Sequence, residues 1–284
     1  MATSHTVSNP TGRVVASHPA LVKVGRVGWA AKGVVYVVAG ILAIIVALEG
    51  TGWSTSSADQ EASPTGAFKT IAGSSGGAAL LWVLAAGMLL YAAWRVVSAL
   101  MPGDNDAKGW AKRIGFAVSA IMYATFAFTA ISLARTTTAA PDGNTTVSSL
   151  TERVMTYASG RVLIGILGAI VIGVGLYRMA KGFKQDVADE LDLSGMSAAR
   201  VRVTRRLGSV GEIGRSIGIG LIGFFLLRAA MTFDAAQATG LDGALRRLVV
   251  ESWGALVVVV VGVGFVAYGT FCLATFTHRV FEAP

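Results

Sequence analysis

Six runs of about twenty apolar residues recur along the chain: Gly28–Leu48, Ala78–Leu100, Ile114–Ala134, Val162–Ala180, Ile213–Phe233 and Trp253–Phe276. A bilayer core is roughly 30 Å thick, and a helix rising about 1.5 Å per residue crosses it in about twenty residues. The runs are continuous rather than alternating, so they predict transmembrane helices and argue against a β-barrel. Three shorter stretches lie between paired runs: Thr65–Ala72, Ser149–Tyr157 and Asp242–Val250. They predict short amphipathic helices on the outer side, with Thr65 and Asp242 placed to cap two of them. Met1–Leu21 is rich in Ser, Thr, Val, His and Pro and reads as a flexible tail; the apolar run after it starts too late and is too long for a signal peptide.

The six runs fall into repeats. A shift of 183 lays Val24–Gly33 on Leu207–Ser216, with Gly25/Gly208, Gly28/Gly211, Lys32/Arg215 and Gly40/Gly223 coinciding. A shift of 87 lays Gly28 on Gly115 and Tyr36 on Tyr123. Gly-x3-Tyr recurs at Gly87/Tyr91, Gly173/Tyr177 and Gly264/Tyr268, and the shift of 177 also lays Gly66-Ala-Phe-Lys on Gly243-Ala-Leu-Arg. Each unit reads as a helix in, an outer amphipathic helix and a helix out. All three units start on the same side, and parallel repeats relate by an axis along the membrane normal. The expected fold is therefore all-α: a polytopic membrane protein of three parallel two-helix repeats around a pseudo-three-fold axis. The divisions are a tail (1–21), repeats at 22–100, 108–183 and 207–278, and a linker at 184–206.

Three tandem two-helix units, each opening on a Gly-x2-Gly stretch like that in Val24–Tyr36, resemble the bacterial, mostly actinobacterial, membrane family called domain of unknown function 1206. The resemblance covers about Val24 to Phe276 and rests on glycine and tyrosine spacing. The second copy departs from it where Ser119 and Ala120 stand for Lys32 and Gly33, and the third where Ile219 stands for Tyr36. The resemblance implies architecture and carries no activity.

Composition agrees with a membrane class. Among 284 residues, 54% are hydrophobic and only 14% charged, against a typical ~25% charged. The formal net charge of +8 is spread too thinly for a nucleic-acid surface. Orientation follows from Lys and Arg. With the N-terminus inside, 17 of the 24 fall on the inner side and 7 on the outer, while the acidic residues divide evenly. Both termini are expected in the cytoplasm of a bacterium, at its inner membrane.

Candidate chemistry is sparse. Gly218-Ile-Gly-Leu-Ile-Gly223 matches a dinucleotide fingerprint but lies inside an apolar run with no strand before it. Gly73–Gly77 contains G-x-S-x-G, yet the three histidines belong to the opposite side. One cysteine, Cys272, excludes an intramolecular disulfide and a multi-cysteine metal site. No carboxylate lies at a span centre, which counts against a proton-coupled transporter. Neither a metal nor a cofactor is expected, and an enzyme is the least favoured class.

Two sets of residues stand out. Lys32, Ser119 and Arg215 occupy one repeat position just inside the inner boundary. The ordinary reading is snorkelling to anionic lipid headgroups; the alternative is a shared inner site facing the axis. The second set is Tyr91, Tyr177 and Tyr268 with Arg95 and Lys181, which read as interface anchors or as the wall of a basic, Tyr-lined pocket. Gly87, Gly173, Gly264, Gly214 and Gly218 are expected to let helices approach closely. Glu212 and Arg215 suggest a local pair. The segment Lys181–Glu212 is basic, then acidic, then basic, and suits the inner leaflet or a protein partner. The leading functional expectation is a non-enzymatic bundle enclosing a small solute or lipid. The rival is a scaffold or accessory subunit of a membrane complex with a solid core.

Overall fold

A computed structural model of the chain describes residues 19–50, 63–100, 106–136, 143–157, 159–185, 191 and 196–278. The tail up to residue 18 and the acidic positions Asp186, Asp189, Glu190 and Asp192 lie outside the described residues. Nine α-helices form among those described: α1 (Pro19–Gly50), α2 (Pro64–Ala72), α3 (Gly77–Leu100), α4 (Ala107–Thr136), α5 (Gly143–Met155), α6 (Gly160–Lys184), α7 (Ala198–Thr232), α8 (Leu241–Val249) and α9 (Gly254–Thr275). Six of them, α1, α3, α4, α6, α7 and α9, are long and apolar enough to cross a membrane. The protein is an all-α, multi-pass membrane protein.

The three connecting helices α2, α5 and α8 end in the same turn. Backbone N–H groups of Ser74, Tyr157 and Glu251 donate to the carbonyls of Ile71, Val154 and Leu248 at 3.1, 3.2 and 2.8 Å. Gly77, Gly160 and Gly254 then donate to Ser74, Tyr157 and Glu251 at 2.9, 2.8 and 2.9 Å, and each opens the second helix of its repeat. A Cβ on any of the three glycines would fall on the carbonyl oxygen of Ile71, Val154 or Leu248. Only a residue without a side chain closes a turn this tight.

The helix starts differ in detail from the expected caps. Ser63, not Thr65, caps α2: its Oγ accepts from Gly66 N–H at 3.1 Å, and Pro64 takes the first helical position, where its missing N–H costs nothing. Gly240 caps α8, and Asp242 lies one residue inside it, paired with Arg246 at 3.0 Å. α5 starts at Gly143, earlier than expected, and α7 starts at Ala198, within the segment read as a linker. At 35 residues α7 is about 52 Å long and so extends well past a bilayer core.

Neighbouring spans pack in the order α4–α3–α1–α9–α7–α6. The most extensive interfaces join different repeats. Gly40 and Gly33 of α1 meet Gly262 and Gly269 of α9, and Gly223 of α7 meets Gly168 of α6. Gly262 and Gly168 each stand eight residues after the turn glycine of their helix, Gly254 or Gly160. The two interfaces are therefore built alike.

Within a repeat the picture divides. In the first, a Cβ on Gly87 would lie 2.9 Å from Ala31 Cβ, and one on Gly28 would lie 2.6 Å from Tyr91 Cβ. In the third, a Cβ on Gly214 would lie 2.5 Å from Gly264 Cα, and one on Gly211 the same distance from Tyr268 Cα. Gly28/Gly211, Ala31/Gly214 and Gly87/Gly264 are the pairs that the shifts of 183 and 177 align. The second repeat has no such interface: α4 and α6 form no substantial contact with each other.

Counting from the turn explains why. Gly87 and Gly264 stand ten residues after Gly77 and Gly254, whereas Gly173 stands thirteen after Gly160. Three extra residues displace a helical position by about 4.5 Å along the axis and about 60° around it. The position equivalent to Gly87 is Ile170, and the one equivalent to Ala31 is Val118. Both are exposed, and two β-branched side chains replace the small pair on which the other repeats close. The expected role of Gly173 in packing is corrected: nothing lies within 4 Å of a Cβ built there. Gly218 does pack, with Leu241 Cδ1 at 3.1 Å and Phe265 Cζ at 3.4 Å.

Candidate functional site

Side chains from all six spans converge between the repeats. At the centre is Lys32 of α1, only 5% exposed. Its Nζ donates to Tyr268 Oη of α9 at 2.9 Å. Five aromatic rings surround the ammonium: Trp29 at 4.8 Å from the ring centre, Tyr268 at 5.0 Å, Tyr123 at 5.6 Å, and Tyr36 and Tyr91 at 5.9 Å. A cation within about 6 Å of a ring face is attracted by its quadrupole, more strongly once water is removed. Five such rings offset part of the cost of taking an ammonium out of water.

The local sequence makes this arrangement. Trp29, Lys32 and Tyr36 are three and four residues apart on α1, so they share one helix face. Tyr123 of α4 holds the position of Tyr36 in its own repeat. The rings lock edge to face: Tyr91 on Tyr123 at 4.7 Å, Tyr36 on Tyr268 at 5.0 Å and Tyr36 on Phe265 at 5.4 Å. This is the geometry aromatic quadrupoles favour.

A charged cluster adjoins the cage. Arg215 of α7 lies 4.5 Å from the centre of the Tyr268 ring. Its Nη2 donates to both carboxylate oxygens of Glu212, at 2.8 and 2.9 Å. Arg178 of α6 donates to the same carboxylate at 3.0 Å. Glu212 is buried, so two guanidinium groups share one buried carboxylate. On the far side Arg95 Nε donates to Tyr91 Oη at 3.1 Å, and its guanidinium lies 5.0 Å from the Phe116 ring centre.

Of the residues singled out from sequence, Lys32, Arg215, Tyr91, Tyr268 and Arg95 meet here. Lys32 and Arg215 turn inward rather than snorkel. Ser119 is half-buried and joins none of these contacts. Tyr177, 68% exposed, and Lys181 on the same helix lie outside the cluster, because span four carries its Gly-x3-Tyr three residues out of register. Sequence reasoning missed Trp29, Tyr36, Tyr123 and Arg178 as members. The first three were legible as aromatics at helical spacing around Lys32 and at the matched position of the next repeat. Arg178 was not, because its partner belongs to another span.

The arrangement holds a cation in place, and no group of three or more His, Cys, Asp or Glu that could hold a metal occurs among the described residues. No solved structure matches the chain. A curated relative, Uncharacterized protein YxxB of Bacillus subtilis (strain 168), is 30% identical over 269 residues, covering 93% of this chain and 94% of its own. A family profile matches three successive segments, 27–101, 114–185 and 210–275, which together span most of the chain and coincide with the three structural repeats. On these matches the chain belongs to the family described as Domain of Unknown Function (DUF1206).

Proposed function

We propose that the chain is a non-enzymatic structural protein of the bacterial cytoplasmic membrane, a scaffold or accessory subunit, rather than a bundle that encloses a solute. One observation carries this reading. The centre of the aromatic cluster, where an enclosed ligand would sit, is filled by the chain's own Lys32, held by Tyr268 and ringed by four further aromatic residues. A solute- or lipid-binding cage would need that side chain to leave.

Both termini face the cytoplasm in this reading, supported by the placement of 17 of the 24 Lys and Arg on that side. Arg200, Arg202, Arg205 and Arg206 are exposed on the part of α7 that precedes the span. They suit anionic headgroups of the inner leaflet, each contributing about 1 kcal/mol near the surface. The partner is the bilayer and a second membrane protein, not a nucleic acid. The lipid-facing flanks of α4 and α6, which do not pack on each other, are where such a protein would lie.

Native mass spectrometry of the protein released from its own membranes tests the reading. It predicts the chain with a second polypeptide and no stoichiometric soluble small molecule. A small molecule retained by the wild type and lost from Lys32→Met would overturn it in favour of a ligand cage.

A further inference from the structure

A second polar feature lies at the opposite ends of the helices from the arginines of α7. A cleft of about 870 Å³ opens between α5, the start of α6 and the turn that follows α7. That volume falls within the usual range of ligand sites. Arg161, the second residue of α6, crosses it. Its Nε donates to Ala230 O at 2.8 Å, and its guanidinium carbon lies 3.5 Å from the ring centre of Phe233. Phe233 holds a left-handed backbone, φ 57°, which costs a side-chain-bearing residue about 1–2 kcal/mol. The strain presents its ring beneath the guanidinium.

The remaining polar groups differ in what they can still bind. The terminal nitrogens of Arg161 have no partner among the described residues, so a stacked and oriented fork faces the cleft. Asp234 is already engaged: its carboxylate accepts from Gln237 Nε2 and Ala236 N–H, both at 2.9 Å, and these bonds hold its carboxyl below the ordinary value. Glu152, also on the wall, has no ion-pair partner among the described residues. The cleft therefore offers one free guanidinium edge and one free carboxylate.

Its position selects among ligands. α6 enters the membrane at this level and α7 leaves it. Val162, Leu163 and Ile166 of α6 and Met231 of α7 run on from the cleft as exposed apolar side chains. A molecule seated here has a polar end at the cleft and an apolar track along α6.

We propose that this cleft is a headgroup site for a phospholipid that carries both a phosphate and a primary ammonium, the phosphate on the Arg161 fork and the ammonium on Glu152. A planar guanidinium matches phosphate oxygens two at a time. The carboxylate then separates this lipid from one whose headgroup ends in hydroxyls. The site is distinct from the Lys32 cage, and its failure would leave the reading of the cage untouched.

The test is native mass spectrometry of the full chain equilibrated with phosphatidylethanolamine, phosphatidylglycerol or phosphatidylcholine in detergent. Phosphatidylethanolamine is expected to be retained about tenfold better than phosphatidylglycerol. Arg161→Lys, which keeps the charge and loses the fork, should reduce retention of both. Glu152→Gln should abolish only the preference between them. Both side chains are exposed, so neither change threatens the fold. Equal retention of the two lipids by the wild type, or retention indifferent to Arg161→Lys, would overturn the proposal. Soluble phosphoethanolamine displacing the lipid at an equal concentration would assign the site to a free zwitterion and overturn the lipid assignment.

Discussion

Lys32 Nζ and Tyr268 Oη are 2.9 Å apart, although 236 residues separate them in the chain. The bond joins the first span to the last. Each residue stands in its repeat beside a glycine or alanine contact: Gly28 and Ala31 precede Lys32, and Gly264 precedes Tyr268. Small residues bring the helices close enough for the polar and aromatic groups on the same faces to meet. The cage is thus a consequence of the repeat interfaces rather than an addition to them.

The same motif should behave oppositely in two repeats. Tyr268→Phe removes the hydroxyl that accepts from a buried ammonium, and a hydrogen bond to a charged group contributes about 1.5–3 kcal/mol. Tyr177→Phe removes a hydroxyl from an exposed ring and should change stability by less than about 0.5 kcal/mol. Reversible unfolding in detergent, followed by circular dichroism, separates the two. Equal losses would contradict the placement of Tyr177 outside the cluster.

Glycine positions make a second contrast. Gly214→Leu forces a side chain into the Cα of Gly264 and should cost well over 1–3 kcal/mol, the usual range for an overpacked core. Gly173→Leu adds a side chain to open space and should be tolerated, as should Ile170→Leu on the exposed flank. The measurement is the yield of folded monomer and its melting temperature. A harmful Gly173→Leu would mean that α4 and α6 close after all.

The turn predicts a third result, alike in all repeats. Gly77→Ala, Gly160→Ala and Gly254→Ala each place a Cβ on a carbonyl oxygen, so all three should lower the melting temperature by similar amounts. A neutral Gly160→Ala would remove the second repeat from the shared geometry.

Much of this was legible in advance. The six spans follow from continuous apolar runs, and the first and third repeats from glycines that recur at fixed shifts because the backbones they separate touch. The register of span four was not. Gly173-x3-Tyr177 copies the motif of Gly87-x3-Tyr91, but the reliable landmark is the turn glycine, Gly160, from which Ile170 and Val174 are the equivalent positions. A motif of two residues aligns by identity; a turn aligns by geometry. The second repeat stays open for that reason, at Val118 and Ile170. The inward course of Lys32 was also hidden. A lysine near a boundary can snorkel at little cost, and only the joint presence of Trp29, Tyr36, Tyr91, Tyr123 and Tyr268 makes burial the better alternative.

If Lys32 fills space as well as carrying charge, its two replacements should differ. Lys32→Ala leaves a hole ringed by aromatics and should lose roughly 2–5 kcal/mol, as large-to-small core changes do. Lys32→Met keeps all but the last atom of the side chain without the charge and should lose clearly less, because a well-packed apolar residue often replaces a buried ion at little cost. Thermal unfolding of both variants decides this. Equal damage would mean that the charge itself, not the packing, holds the core.

The most direct test of a core closed by its own lysine is a double-mutant cycle of Lys32→Met and Tyr268→Phe, read by unfolding free energy in detergent. Contacting residues give coupling energies of about 0.5–3 kcal/mol, and a value of about 1 kcal/mol or more is expected here. Strict additivity would contradict the account, since it would mean that the first and last spans do not meet through this pair.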